Sequence, residues 1–179
     1  MRKYVFALLL AAAAGSTLLI AAFATAGGGS HNLRAMDGLI GYQEVPALST
    51  TARGAFQAKV SDDNSSFDWT LSYEALEGTV TQAHIHFGQR SVNGGISIWL
   101  CGTAAAPGPA GTAMCPASGT VTGTATAANV VGPLGQGIEP EAFDEILAAI
   151  RAGKAYANVH STKWPGGEIR GQLNDPRGN

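Results

Sequence analysis

The chain has 179 residues with 11 basic and 13 acidic side chains, and 45% of its residues are hydrophobic. Removing a basic export segment containing Arg2 and Lys3 leaves 9 basic against 13 acidic groups, a net charge of about −4, which argues against nucleic acid or an anionic membrane surface as a partner. The remaining residues suffice for one domain with its own core.

Residues 1–26 read as a signal peptide. Arg2 and Lys3 precede an apolar run from Val5 to Phe23, and the small residues Ala24-Thr25-Ala26 supply a cleavage site. Retention of the run as an anchor is the alternative, since it is about long enough to span a bilayer. The protein is therefore expected to be exported, to a periplasmic, cell-surface or extracellular location. Residues 27–34 form a flexible leader, within which His31 is incidental, and 174–179 a tail.

Between them the dominant period is two. Phe67, Trp69, Leu71 and Tyr73 alternate with Asp68, Thr70 and Ser72, which predicts a strand with one wet face. Asp62-Asp63-Asn64 is turn chemistry, so Gly54 to Val60 pairs with that strand as a hairpin. Similar runs occur at Leu39 to Val45, Val80 to Phe87, Ile96 to Cys101, Thr120 to Thr126, Ala155 to Ser161 and Glu168 to Leu173. About eight short strands with Gly-rich connections predict an all-β fold, an antiparallel Greek-key-like β-sandwich. One segment departs from this pattern: Phe143, Ile146, Leu147 and Ile150 follow helical spacing, which predicts a short helix near residues 140–152.

Cys101 and Cys115 flank 13 residues rich in Gly, Ala and Pro. In an exported chain this spacing predicts a disulfide around a loop; free thiols or a metal pair are the alternatives, and the spacing does not suit a zinc knuckle.

Candidate chemistry gathers in two segments, Ala83-His84-Ile85-His86-Phe87-Gly88 and Tyr156-Ala157-Asn158-Val159-His160. Strand alternation puts His84 and His86 on one face, and likewise Tyr156, Asn158 and His160. A His-x-His strand is a half-site for copper or zinc, which His160 would complete, with Glu168 as a further ligand or as the carboxylate that fixes a histidine tautomer. The competing reading is a buried polar network or ligand-binding face that includes Tyr156, Asn158, Glu168 and Arg170. Glu168 and Arg170 share a face after the turn Pro165-Gly166-Gly167, where an ion pair or a hydrogen bond would fix register. No nucleophile elbow, Walker loop, dinucleotide fingerprint or His-Glu-x-x-His occurs, so no catalytic residue is assigned.

Taken in order, Tyr42-Gln43-Glu44-Val45-Pro46, the His84/His86 segment, Asn93-Gly94 and Tyr156 to His160 with Gly166-Gly167-Glu168-Ile169-Arg170-Gly171-Gln172-Leu173 resemble the CHRD (chordin-type) domain across residues 35–173. The Cys101 to Cys115 insertion and the helix resemble the exported bacterial branch. The resemblance implies a non-enzymatic binding module using a His-bearing sheet face, with an unidentified protein, small ligand or metal ion as partner. A copper or zinc site, or a structural surface or matrix role, are the alternatives. His84-Ile85-His86 is also similar to the copper-binding strand of Cu/Zn superoxide dismutase, but the bridging histidine and the zinc loop of that enzyme have no counterpart here.

Overall fold

In the computed structural model of the protein, residues 32–35 and 37–176 are described; the expected signal segment, the leader through His31 and the last three tail residues lie outside them. Nine strands and one α-helix occur among the described residues. The strands are β1 (Asn32–Ala35), β2 (Leu39–Ile40), β3 (Arg53–Val60), β4 (Ser66–Glu74), β5 (Val80–Phe87), β6 (Gly95–Cys101), β7 (Gly119–Thr126), β8 (Ala155–Ser161) and β9 (Ile169–Asn174); the helix α1 spans Phe143–Arg151.

All strand pairings are antiparallel and run in the order β6-β5-β8-β9-β1-β3-β4-β7. The short β2 pairs with β3 and β9, in the same lane as β1. The two ends of this path approach each other, since Ile98 of β6 bridges to Val130 just beyond β7 and Val131 donates its N–H to Ser97 O at 2.9 Å. The sheet thus folds over into a sandwich. Its interior is lined by Phe56, Phe67, Leu71 and Tyr73 on one side and by Ile85, Ile98, Leu100, Val159 and Ile169 on the other.

The β3–β4 hairpin shows the local chemistry at work. Asp63 Oδ1 accepts from Ser61 Oγ, Ser65 N and Ser65 Oγ, and Asn64 takes a left-handed conformation with φ of 60°. The turn aligns Val60 with Phe67 and Phe56 with Leu71, so every apolar side chain of β4 enters the core. The helix follows the same logic: Phe143, Ile146, Leu147 and Ile150 are all buried, and Phe143 meets Phe67 with ring centroids 5.6 Å apart. Gly153 follows with φ of 65°, a backbone state that suits glycine past a helix end.

Two expectations from the sequence are corrected. The strand expected over Leu39 to Val45 stops after Ile40, because Gly41 begins a 3-10 turn whose carbonyl accepts both Glu44 N at 3.0 Å and Leu48 N at 2.9 Å. The chain peels off the sheet there and the following loop lies across its outer face. Conversely, Asn32 to Ala35, assigned mainly to the leader, forms β1 with Leu33 fully buried.

Cys101 and Cys115 form a disulfide with Cα atoms 5.0 Å apart. It ties the loop after β6 back to that strand's end.

Candidate functional site: a histidine layer beneath three loops

Strands β8 and β9 are buried along nearly their whole length, so the outer face of the sheet is covered as well as the inner one. Loops of residues 41–52, 88–94 and 162–168 provide that cover. Beneath them lies a layer of polar and aromatic side chains set by strand register. His84 stands opposite both Trp99 and Asn158, His86 opposite Tyr156, His160 opposite Gln82, and Asn158 opposite Arg170. The parity that separates these residues from Ile85, Ala157 and Val159 is the alternation read from sequence.

The three histidines converge. Their candidate ligand nitrogens all lie within 4.8 Å of one another, and the residues are 0%, 8% and 6% exposed for His84, His86 and His160. His84 Nδ1 and His160 Nε2 are 3.2 Å apart. For comparison, two ligands on a tetrahedral zinc ion with bonds of about 2.0–2.1 Å are separated by about 3.3 Å, and no two ligands can exceed about 4.1 Å. Small ring movements would therefore bring the whole set onto one ion.

Two backbone carbonyls decide the tautomers. His86 Nδ1 donates to Gly94 O at 3.0 Å and His160 Nδ1 donates to Pro165 O at 2.9 Å, which leaves the lone pair of each ring on Nε2. The Nε2 atoms of His84 and His86 are buried without a hydrogen-bond partner in the protein. Burial also holds the rings neutral. Desolvation, reinforced by the neighbouring histidines, pulls His84 down to about 2; desolvation pulls His86 down to about 4 against the Gly94 bond, and lowers His160 also.

The surrounding side chains orient this cluster. Tyr156 stacks on His86 with centroids 4.8 Å apart, and Arg170 covers the opposite face of the phenol at 3.4 Å. The Arg170 guanidinium also donates to Gln89 O at 3.0 Å and Val92 O at 2.9 Å, securing the 88–94 loop that carries Gly94. Trp99 packs edge-on against His84, with centroids 4.2 Å apart. Asn158 Nδ2 donates to Glu44 Oε1 at 2.7 Å and to Ile169 O at 2.9 Å. Burial raises the Glu44 carboxyl to about 7, against the lowering effects of the Asn158 bond and the Arg170 charge.

Of the residues singled out from sequence, Tyr156, Asn158, Arg170 and the three histidines share this layer. Glu168 is directed elsewhere. Its Oε1 accepts from Glu77 N at 2.7 Å and Thr50 Oγ1 at 3.0 Å, so it ties two loops to the start of β9. Among the described residues no ion pair joins Glu168 to Arg170, and the tautomer-fixing partners are carbonyls rather than this carboxylate. Glu44, Gly94, Pro165 and Trp99 were not assigned to the site from sequence, although Gly94 and Pro165 were read as turn residues. Glu44 had a usable signal, because it lies within the Tyr42 to Pro46 stretch.

The CHRD domain profile matches residues 38–173, which include β2 through nearly all of β9 and every residue of this layer. The chain belongs to the CHRD domain family. No curated protein and no solved structure matches it. The resemblance segments of this CHRD chain now have physical roles: Glu44 caps Asn158, Gly94 grips two rings, and Arg170 and Gln172 fasten loops over the sheet. Gln172 Nε2 makes three such bonds, to the carbonyls of Gly88, Gly153 and Ala155.

Proposed function

We propose that this CHRD domain is an exported, non-enzymatic binding module whose ligand is a d-block metal ion, copper or zinc, held by His84, His86 and His160. The observation that carries the reading is the buried, unpartnered Nε2 of His86 within a convergent three-histidine set in which His84 Nδ1 and His160 Nε2 already stand 3.2 Å apart. A hydrogen-bonded network alone would leave the His86 nitrogen unsatisfied, at a cost of about 1–3 kcal/mol. A bound ion uses such lone pairs, and neutral imidazole suits both metals. The carbonyls at Nδ1 of His86 and His160 are the outer partners such a site needs. The disulfide and the signal-like residues 1–26 support export.

Metal analysis of the purified protein, followed by titration with copper and zinc, tests the reading. One ion per chain is expected, with affinity falling at least about tenfold in each of His84→Ala, His86→Ala and His160→Ala. Failure of the wild-type protein to bind either metal more tightly than micromolar would refute it. A polar network that only joins strands would then be the function of the layer.

A further inference from the structure

We infer that the site selects a monovalent cation, copper(I), over zinc(II) and copper(II). This rests on the three-histidine reading above and adds the charge state of the ion. Among the described residues the convergent group contains three imidazoles and no carboxylate or thiolate. Each ligating ring is neutral, so the ligands cancel none of the metal's charge.

The two buried carboxylates near the layer, Glu44 and Glu168, both lie outside the convergent ligand set, and Glu168 Oε1 is taken by Glu77 N and Thr50 Oγ1. Arg170 places a cation on the far face of Tyr156, the ring that stacks on His86. Glu44 is the acid bonded into the layer, and its Oε1 is taken by Asn158. Burial raises its carboxyl toward the neutral form against the attraction of Arg170, so it adds little negative charge. The rings themselves are nearly inaccessible.

The cost of placing an ion in such surroundings grows with the square of its charge, so a divalent ion pays about four times the monovalent penalty. Three-histidine zinc sites relieve this by keeping an open position where a water loses a proton. Here the three histidines are nearly inaccessible beneath the covering loops, which restricts room for that extra ligand. A closed-shell monovalent ion satisfied by two or three neutral nitrogens needs neither the added anion nor the space.

The test is an anaerobic titration of the purified protein with copper(I) against a chromogenic copper(I) chelator, with parallel competitive titrations of zinc(II) and copper(II). Copper(I) is expected to bind one per chain and at least about a thousandfold more tightly than zinc(II). A second measurement isolates charge. Gln82, half-buried, stands opposite His160 on the sheet, and Gln82→Glu introduces a carboxylate of nearly the same shape. A negative charge attracts a divalent ion twice as strongly as a monovalent one, so this variant should shift the zinc-to-copper(I) affinity ratio at least about tenfold toward zinc. Zinc(II) or copper(II) binding as tightly as copper(I), or an unchanged ratio in Gln82→Glu, would overturn the inference while leaving the metal site standing. Binding of none of the three ions would remove the three-histidine reading itself.

Discussion

Tyr156 and His86 lie face to face across the β5–β8 pairing, with ring planes 2° apart and centroids at 4.8 Å. Gly94 holds both of them. Its carbonyl accepts from His86 Nδ1 at 3.0 Å and its N–H donates to the Tyr156 hydroxyl at 3.1 Å. One peptide segment therefore sets the position of the phenol and the tautomer of the imidazole together.

Tyr156→Phe keeps the stack and removes the acceptor of the Gly94 N–H. It should cost about 1–2 kcal/mol of unfolding free energy, the penalty for a part-buried donor left unmade. Tyr156→Ala also loses the ring and should cost about 3–5 kcal/mol. Urea denaturation of both variants checks this; equal losses would mean that the stack contributes nothing.

Gly94→Ala should be among the most damaging small substitutions in the chain. A Cβ there would overlap the Phe87 carbonyl oxygen, and the backbone cannot retreat without breaking one of the two ring contacts. A loss of about 3 kcal/mol or more is expected in denaturant melts, together with a weaker metal affinity. Gly111→Ala is not a matched control because φ there is positive; Gly135→Ala, with open space around it, is the proper comparison and should cost under about 1 kcal/mol.

Stability should fall on acidification below about pH 6.5. His84 and His86 stay neutral in the fold down to about 2 and about 4, whereas the unfolded chain takes up protons below 6.5, so each costs about 2 kcal/mol by pH 5. Glu44 acts in the opposite sense. Its folded value of about 7 lies above the usual 4.5, so its contribution is full below 4.5 and is lost as pH rises through 7. Between pH 8 and 5 it returns about 2–3 kcal/mol. Glu44→Gln should therefore steepen the acid loss by that amount, measured by chemical denaturation of the metal-free protein at pH 8, 6.5 and 5. Parallel profiles for variant and wild type would show that Glu44 does not titrate in this window.

Reduction of the Cys101–Cys115 disulfide should lower stability by about 3 kcal/mol, from the loop entropy returned to the unfolded chain. The same loop packs on Trp99, since a Cβ at Gly108 would lie 2.8 Å from the indole. Trp99 fluorescence, read as the difference between the wild type and Trp99→Phe, should change on reduction at temperatures well below the melting transition. A transition midpoint that does not move with reductant would refute the stabilising role.

The sequence by itself determined most of what depends on neighbours within a few residues, the 3-10 turn at Gly41 excepted. The bounds of β5 and β8 match the expected Val80 to Phe87 and Ala155 to Ser161, the four apolar helix positions are the four buried ones, and the hairpin turn falls at Asp62 to Asn64. Alternation and helical spacing are set by backbone sterics, so they are written locally. The family was also legible, because its residues recur in order along the chain. Only the tertiary structure decided which strands adjoin. His84 and His160 are 76 positions apart and meet because β5 pairs with β8 in one register; a shift by one residue would have turned His160 into the core. The same long-range packing sent Glu168 to Thr50 and Glu77, brought Glu44 onto Asn158, and laid three loops over a face that alternation alone would read as wet. No local period encodes which loop covers a sheet, and that cover turns three surface histidines into a buried, neutral cluster.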